Sequence, residues 1–165
     1  MSPHLLAVLV ALAVCSPHDR VRERARVIAL VTDDPEEQRA LAVFDFRETG
    51  LGRRGVPFGV TAFWYRERRA GRTPGLEALA RVALLNLHRA RGVCRDPLRA
   101  ASWHQSGACR ESPYGASVLR LRAVVERAEG YVADGTPAPR AVGRARFEEA
   151  CLARGQDARG VAPTL

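Results

Sequence analysis

The stretch that decides the fold is residues 33–49, which read DDPEEQRALAVFDFRET. Asp34 suits the N-cap of a helix, because its short side chain can accept a hydrogen bond from the first turn. Pro35 suits the first helical position, and Glu37 completes a capping box three residues after the cap. The sequence therefore predicts a helix that runs to the end of this stretch and stops at Gly50.

This helix is apolar on nearly every side, which is typical of a helix at the centre of a domain. Leu41, Phe44 and Glu48 fall within a sector of about 60° when residues are placed at 100° intervals. Val43 and Phe46 are apolar on the other side. Glu48 thus lies on an apolar stripe in the last turn of the helix.

The flanking sequence reads as further helices separated by glycine and proline. The expected helices span residues 20–31, Thr73-Pro74 to Gly92, 97–102, Ser112-Pro113 to Gly130, and Pro137 to about Gly155. Residues 50–60, GLGRRGVPFGV, carry four glycines and one proline and favour turns or an irregular hairpin. The predicted fold is mainly α, with at most a short β-hairpin near residues 52–63.

Length and composition indicate a single packed domain. The chain has 165 residues, 47% of them apolar and 27% charged, and its formal net charge is +8. Every basic residue is arginine. The surplus, with a cluster at residues 66–72, suggests a nucleic-acid-binding alternative. Because the arginines are scattered and no known nucleic-acid motif occurs, we expect no specific nucleic-acid partner.

The N-terminal region predicts export. Residues 5–14, LLAVLVALAV, have the length of a signal-peptide core rather than the ~20 residues of a membrane-spanning helix. Cys15 loosely fits a lipoprotein box, so lipid on Cys15 is the only membrane contact we expect. The alternative is a buried first helix of a cytoplasmic protein. We therefore expect a signal at 1–18, a domain at 19–155, a flexible tail at 156–165, and a location in the periplasm or cell envelope.

The cysteines agree with an oxidising compartment. A Cys94–Cys109 bridge would close a short loop and stabilise the fold by roughly 3 kcal/mol. Cys15 and Cys151 could then pair, or remain as a lipid carrier and a buried thiol. A zinc site is the alternative use of these groups, built from His88, Cys94, His104 and Cys109. No C-x-x-C or H-x-x-x-H spacing supports it, so we expect no metal.

Glu48 is the candidate for acid–base chemistry. Burial and the negative end of the helix dipole both raise the pKa of a carboxyl group in that position. A general acid needs such a proton near neutral pH. The alternative is an ordinary ion pair with Arg47, Arg53 or Arg54. Asp45, one turn earlier, is either a second carboxylate or, as we expect, a solvent-side partner of an arginine.

The residues around Glu48 resemble the catalytic helix of the lytic transglycosylases, in their soluble and goose-type-lysozyme-like group. In that family a helix ends in Glu-Ser, followed by a glycine-containing turn and a motif close to G-L-M-Q. Here Glu48-Thr49 ends the helix, residues 50–55 form the turn, and residues 58–61 read FGVT. The glycine and the apolar residue match, whereas the Met and Gln do not.

A second part of the resemblance lies downstream. The family has an Ala-Ala-Tyr-Asn-x-Gly motif before a helix that contains a tyrosine. Here residues 100–107 read AASWHQSG, and residues 114–119 read YGASVL. The glycine and the Y-x-x-x-V-L pattern agree, whereas His104-Gln105 replaces the Tyr-Asn pair. The resemblance covers residues 22 to about 125.

The resemblance implies a lysozyme-like helical domain that cleaves peptidoglycan strands between N-acetylmuramic acid and N-acetylglucosamine. Glu48 would be the catalytic acid and base, with Thr49 beside it. The implied substrate-binding residues are Phe58, Gly59, Thr61, Trp103, His104 and Gln105. It implies a monomer that needs no cofactor. Because two motif elements are altered, the alternative is a non-catalytic wall-binding or phage-associated structural protein with the same fold.

Several of these residues have a second interpretation from the sequence alone. Thr49 either orients Glu48 or only ends the helix. Residues 103–105 either line a sugar cleft or combine core packing with loop polarity. The aromatic residues 63–65 either stack on sugars or bases, or form the edge of the core beside a basic face.

Overall fold

The structure is a computed structural model, and it describes residues 21–49 and 54–133. Within these ranges the chain is mainly helical and has no strand, which confirms the predicted fold class. The elements are α1 (Val21–Val31), α2 (Pro35–Thr49), a 3₁₀ turn (Pro57–Gly59), α3 (Thr61–Arg69), α4 (Leu76–Val93), α5 (Pro97–Ser106) and α6 (Pro113–Ala133). The predictions for residues 1–18, for Cys15 and Cys151, for the last helix and for the tail lie outside the described residues.

Helix α2 is the centre of the described fold, as its apolar circumference predicts. Six consecutive residues, 41–46, are buried. The helix contacts α1, α4, α6 and the 3₁₀ turn. A helix enclosed in this way has little freedom to shift, so its last turn can hold a side chain in a fixed place.

Helix α2 begins with the predicted cap, Asp34. Of the two hydrogen bonds that make up a capping box, the one from the cap side chain forms and the one from Glu37 back to the cap does not. Asp34 Oδ1 accepts a hydrogen bond from the backbone N–H of Glu37 at 2.9 Å. The Glu37 carboxylate does not return to the cap and instead bonds the Thr32 hydroxyl and the ring of His88. Glu37 therefore connects the start of α2 to α4.

The bounds of three helices differ from the prediction. Helix α6 continues past the expected stop at Gly130 to Ala133. Helix α4 begins at Leu76 with Gly75 as its cap. The Thr73 hydroxyl, expected as the cap, instead accepts a hydrogen bond from Arg68 Nη1 at 2.7 Å. Helix α5 continues to Ser106 and ends where Gly107 adopts a φ of 67°, a left-handed conformation that glycine takes without strain.

Helix α3 was not predicted, and the short hairpin near residues 52–63 does not form in residues 54–63. That segment is a 3₁₀ turn followed by the first residues of α3. Helix α3 buries none of its residues, so no apolar stripe marks it in the sequence. Phe63 and Trp64 pack at the edge of the core, under the guanidinium groups of Arg66 and Arg68.

The predicted Cys94–Cys109 disulfide is confirmed. Its Cα atoms lie 5.5 Å apart, and it ties the end of α4 to the link between α5 and α6. Because both sulfur atoms are bonded, neither can ligate zinc, and the zinc alternative is wrong. None of the helices described here has the length and apolarity that a membrane crossing requires.

Candidate active site

Glu48 lies in the last turn of α2, and its side chain is 21% exposed. Its Oε1 is 3.8 Å from Arg47 Nη1. This is the Arg47 ion pair that the sequence offered as the alternative role of Glu48, and its separation is at the long end for such a pair. The carboxyl group is therefore partly shielded by protein while still reaching solvent.

The chain returns onto the end of α2 after the glycine-rich stretch. The backbone N–H of Gly55 donates a hydrogen bond to the carbonyl oxygen of Glu48 at 3.1 Å. A Cβ atom at position 55 would lie 2.5 Å from that oxygen and 2.8 Å from Glu48 Oε2. Only glycine permits this approach, which places a bare stretch of backbone beside the Glu48 carboxyl group.

Asp45, one turn before Glu48, does not face solvent as expected. It is buried and pairs with the equally buried Arg24, whose Nε lies 3.2 Å from Asp45 Oδ2. Burial raises the pKa of Asp45, while the charge of Arg24, the Phe58 N–H and the Thr49 hydroxyl act in the opposite direction. The predicted arginine partner exists, but it comes from α1 and lies in the interior.

The second oxygen of Asp45 holds the turn that follows. Asp45 Oδ1 accepts a hydrogen bond from the backbone N–H of Phe58 at 3.0 Å. Phe58 has a φ of 58° and Gly59 a φ of 70°. A left-handed conformation is strained for phenylalanine, and such strain persists only where surrounding contacts impose it. The Phe58 ring is fully buried, with the Arg24 guanidinium 5.9 Å from its centre.

His104 of α5 supplies the other contact that imposes this conformation. Its Nε2–H donates a hydrogen bond to the carbonyl oxygen of Phe58 at 2.6 Å. Its ring stacks on Phe44 with 3.9 Å between the centres. Burial lowers the pKa of His104 to about 4, against the opposing effect of the bond to Phe58. His104 is therefore neutral at pH 7 and positions the turn from the inside.

Tyr114, in the first turn of α6, completes the arrangement and was missing from the predicted site. Its hydroxyl group would lie 3.0 Å from a Cβ at Gly59, and within the described structure that oxygen has no hydrogen-bond partner. Burial raises the pKa of Tyr114, the nearby Glu48 carboxylate raises it further, and Arg47 opposes both. The Y-x-x-x-V-L pattern was the sequence signal that could have identified it.

Arg47 connects Glu48 to α6. Its Nε donates a hydrogen bond to the Ser117 hydroxyl at 3.0 Å, and its guanidinium lies 5.2 Å from the centre of the Tyr114 ring. One side chain thus reaches the Glu48 carboxylate, the Tyr114 ring and the Ser117 hydroxyl. This contact fixes the distance between the end of α2 and the start of α6.

The other predicted site residues are Thr49, Thr61, Trp103 and Gln105. The Thr49 hydroxyl donates a hydrogen bond to the carbonyl oxygen of Asp45 at 2.8 Å, which favours its role in ending the helix. Trp103 is half-buried and Gln105 is exposed on α5. Thr61 is exposed at the first position of α3. Of the predicted substrate-binding set, the structure brings together Phe58, Gly59 and His104, and it buries all three.

Acid–base chemistry from one carboxylate is what this arrangement can support. No group of three potential metal ligands occurs in the part of the chain that the structure describes. Both oxygens of Asp45 are engaged, so it does not act as a second free carboxylate near Glu48. A Cys109–His104 nucleophilic pair is excluded because the sulfur is in the disulfide.

No protein-family model matches this chain, and no curated protein and no solved structure matches it. The likeness to lytic transglycosylases therefore remains a likeness of motifs. The geometry of Glu48 and its surroundings has to carry any functional conclusion.

Proposed function

We propose that this chain is a lytic transglycosylase that cleaves the bond between N-acetylmuramic acid and N-acetylglucosamine in peptidoglycan. The observation that carries the proposal is the position of Glu48. Its partly shielded carboxyl group stands at the end of a buried helix, directly against the side-chain-free backbone of Gly55. Glycine at position 55 lets the returning backbone pack directly against Glu48, and the part of the carboxyl group that stays exposed is the part a glycan strand would meet.

In the proposed reaction Glu48 serves first as the acid and then as the base. The protonated carboxyl group gives its proton to the glycosidic oxygen as the bond to C1 of the muramic acid breaks. The carboxylate then takes the proton of the C6 hydroxyl group of the same sugar. The C6 oxygen bonds to C1, which yields a 1,6-anhydro end and restores the acid form of Glu48.

This mechanism needs one essential carboxylate, unlike the two that most glycosidases use. The engagement of Asp45 with Arg24 and Phe58 supports it, because that carboxylate is committed to structure. Arg47 and Tyr114 are the other polar groups near Glu48. We assign Arg47 to holding the carboxyl group in place, Tyr114 to supporting Arg47 and the turn from the interior, and Thr49 to ending the helix.

Phe58, Gly59 and His104 act in this proposal through the backbone turn that they build. Thr61, Trp103 and Gln105 retain enough exposure to contact sugar hydroxyl groups or rings. The proposal also includes export to the periplasm or cell envelope, with peptidoglycan as the partner. The alternative is a wall-binding protein with the same fold and no activity.

The test is digestion of purified peptidoglycan by the wild type and by Glu48→Gln. We expect the wild type to release muropeptides with 1,6-anhydro ends, one water lighter by mass spectrometry than the products of a hydrolase. Loss of the acid should reduce release by at least about a hundredfold, the lower end for general acid–base catalysis. Glu77→Gln is the matched control, because Glu77 is exposed on α4 and pairs only with Arg81 in the described structure.

Three outcomes decide among the alternatives. Equal release by wild type and Glu48→Gln would refute the role of Glu48. Products with ordinary reducing ends would indicate a hydrolase instead. Sedimentation with the wall and no soluble product would favour the non-catalytic alternative, provided that circular dichroism shows both variants folded.

A further inference from the structure

A groove of about 310 Å³ lies between α2, α4, α5 and α6. Its lining includes Phe44, whose ring stacks on His104, but it includes neither Glu48 nor the turn at residues 57–59. Its floor is apolar and includes Ala40, Val43, Leu87, Ala101, Val118 and Leu119. If each non-hydrogen atom takes the ~30 Å³ that a water molecule occupies in the liquid, this volume holds about ten such atoms. The groove is therefore of the size of a small ligand and lacks polar groups on its floor.

Two of the charged side chains at the edge of this groove, both of them arginines, have no ion-pair partner among the described residues. Arg91 and Arg95 line it and are exposed. Neither makes an ion pair with any residue in the two described ranges. Asp96 also lines the groove, and its Oδ1 accepts hydrogen bonds from the N–H groups of Leu98 and Arg99. Its single negative charge offsets one of the two arginines, so this edge of the groove keeps a positive excess.

A third guanidinium at the groove differs from these two. Arg122 is paired with Glu36 and Glu126, each at 2.8 Å. Its charge is already balanced within the protein. The site that is short of negative charge is therefore the α4–α5 side of the groove, where Arg91 and Arg95 lie.

We propose that this groove binds a small acidic amphiphile, a single-chain carboxylic acid of about eight carbons. Its apolar chain would lie on the groove floor, where burial removes its CH₂ groups from water. Its carboxylate would bind Arg91 and Arg95 through charge-assisted hydrogen bonds. Eight carbons and two oxygens match the volume, and a polyanion without an apolar body would leave the floor unfilled. This site does not depend on the chemistry proposed for Glu48.

The experiment is a calorimetric titration of the full chain with octanoate, below the concentration at which it forms micelles. Octanol and octylammonium have the same chain with a neutral and a cationic head group. We expect octanoate to bind with one-to-one stoichiometry and at least about tenfold more tightly than octylammonium. The Arg91→Gln/Arg95→Gln variant should lose about tenfold in octanoate affinity and little in octanol affinity.

Two control variants locate the site. Arg89→Gln removes a charge from the same helix at an exposed position outside the groove lining, and it should leave octanoate binding unchanged. Ala100→Leu fills the groove from α5, and it should abolish binding of octanoate and octanol alike. Should the leucine variant fail to fold, the two arginine variants decide alone.

Three results would overturn the proposal. The first is no saturable binding of octanoate to the wild type. The second is equal affinity for octanoate and octylammonium. The third is unchanged octanoate affinity in the Arg91→Gln/Arg95→Gln variant. Activity on peptidoglycan enters none of these measurements, so the groove and the proposed enzyme can fail separately.

Discussion

Helix α2 has two faces that differ in how they are held. On the turn face, Asp45 joins Arg24 of α1 to the backbone of Phe58, and the contacts are buried and directional. On the groove face, Ala40 and Val43 line an open apolar groove, and the ion pairs of its lining residue Arg122 with Glu36 and Glu126 are exposed rather than buried. Directional bonds constrain the turn face, whereas the groove face is held mainly by apolar packing.

This difference matches the positional precision that each proposed site requires. A carboxyl group that transfers protons has to stay within a fraction of an ångström of its reacting atoms. The bonds on the turn face provide such constraint for the end of α2. Apolar packing is less directional, and it suits a surface that accepts an alkyl chain of variable conformation.

The largest effect expected from breaking the turn face is that of Asp45→Ala. The change leaves the buried Arg24 without its charge partner and the Phe58 N–H without its acceptor. Removing one partner of a buried ion pair costs about 3–5 kcal/mol. We expect a fall of that size in the free energy of unfolding, measured by urea denaturation at pH 7.

A matched pair of controls sharpens this test. Glu77→Ala removes an exposed carboxylate that pairs with Arg81, and it should cost less than about 1 kcal/mol. Asp45→Asn retains an acceptor for the Phe58 N–H but loses the charge, so its cost should lie between the two. Equal stability of Asp45→Ala and Glu77→Ala would show that the turn face is not held as described.

The next largest effect is the pH dependence that His104 contributes. Its pKa is about 4 in the fold and 6.5 when unperturbed. The unfolded chain therefore binds more protons between these values, so this contribution to stability is complete above pH 6.5 and falls as the pH drops toward 4. The loss amounts to roughly 3 kcal/mol.

The measurement compares the wild type with His104→Asn in urea at pH 7 and at pH 4.5. The variant cannot take up the proton, so its stability should change less with pH than that of the wild type. Gln105→Asn is the control, because Gln105 is exposed on the same helix and does not titrate. Parallel pH profiles for the wild type and His104→Asn would contradict the buried, neutral histidine.

The central helix and the disulfide could be predicted from the sequence because their signals are local. Asp34 and Pro35 mark the start of α2, and an unbroken apolar run marks its burial. Cys94 and Cys109 are close along the chain, with proline and glycine between them. The position of Glu48 at the end of α2 followed from the same pattern.

The contacts on the turn face could not be predicted in the same way. Arg24 and Asp45 lie on different helices, and spacing along the chain does not reveal which of many arginines meets a given carboxylate. The left-handed Phe58 was also hidden, because that conformation is rare for phenylalanine and depends on contacts from α2 and α5. Helix α3 escaped prediction because it buries no residue and so has no apolar stripe.

The smallest effect tests the groove face, through Leu119→Ala. Leu119 is half-buried and lines the groove, so the shortened side chain widens an opening that solvent or a ligand already enters. We expect a loss of about 1 kcal/mol, mainly the transfer free energy of the removed atoms without a closed cavity. Leu41→Ala is the matched comparison, because Leu41 is fully buried on α2 and should cost about 2–5 kcal/mol in urea denaturation. If the two substitutions lower the free energy of unfolding equally, then Leu119 is as enclosed as Leu41. The groove would then be too narrow for an alkyl chain.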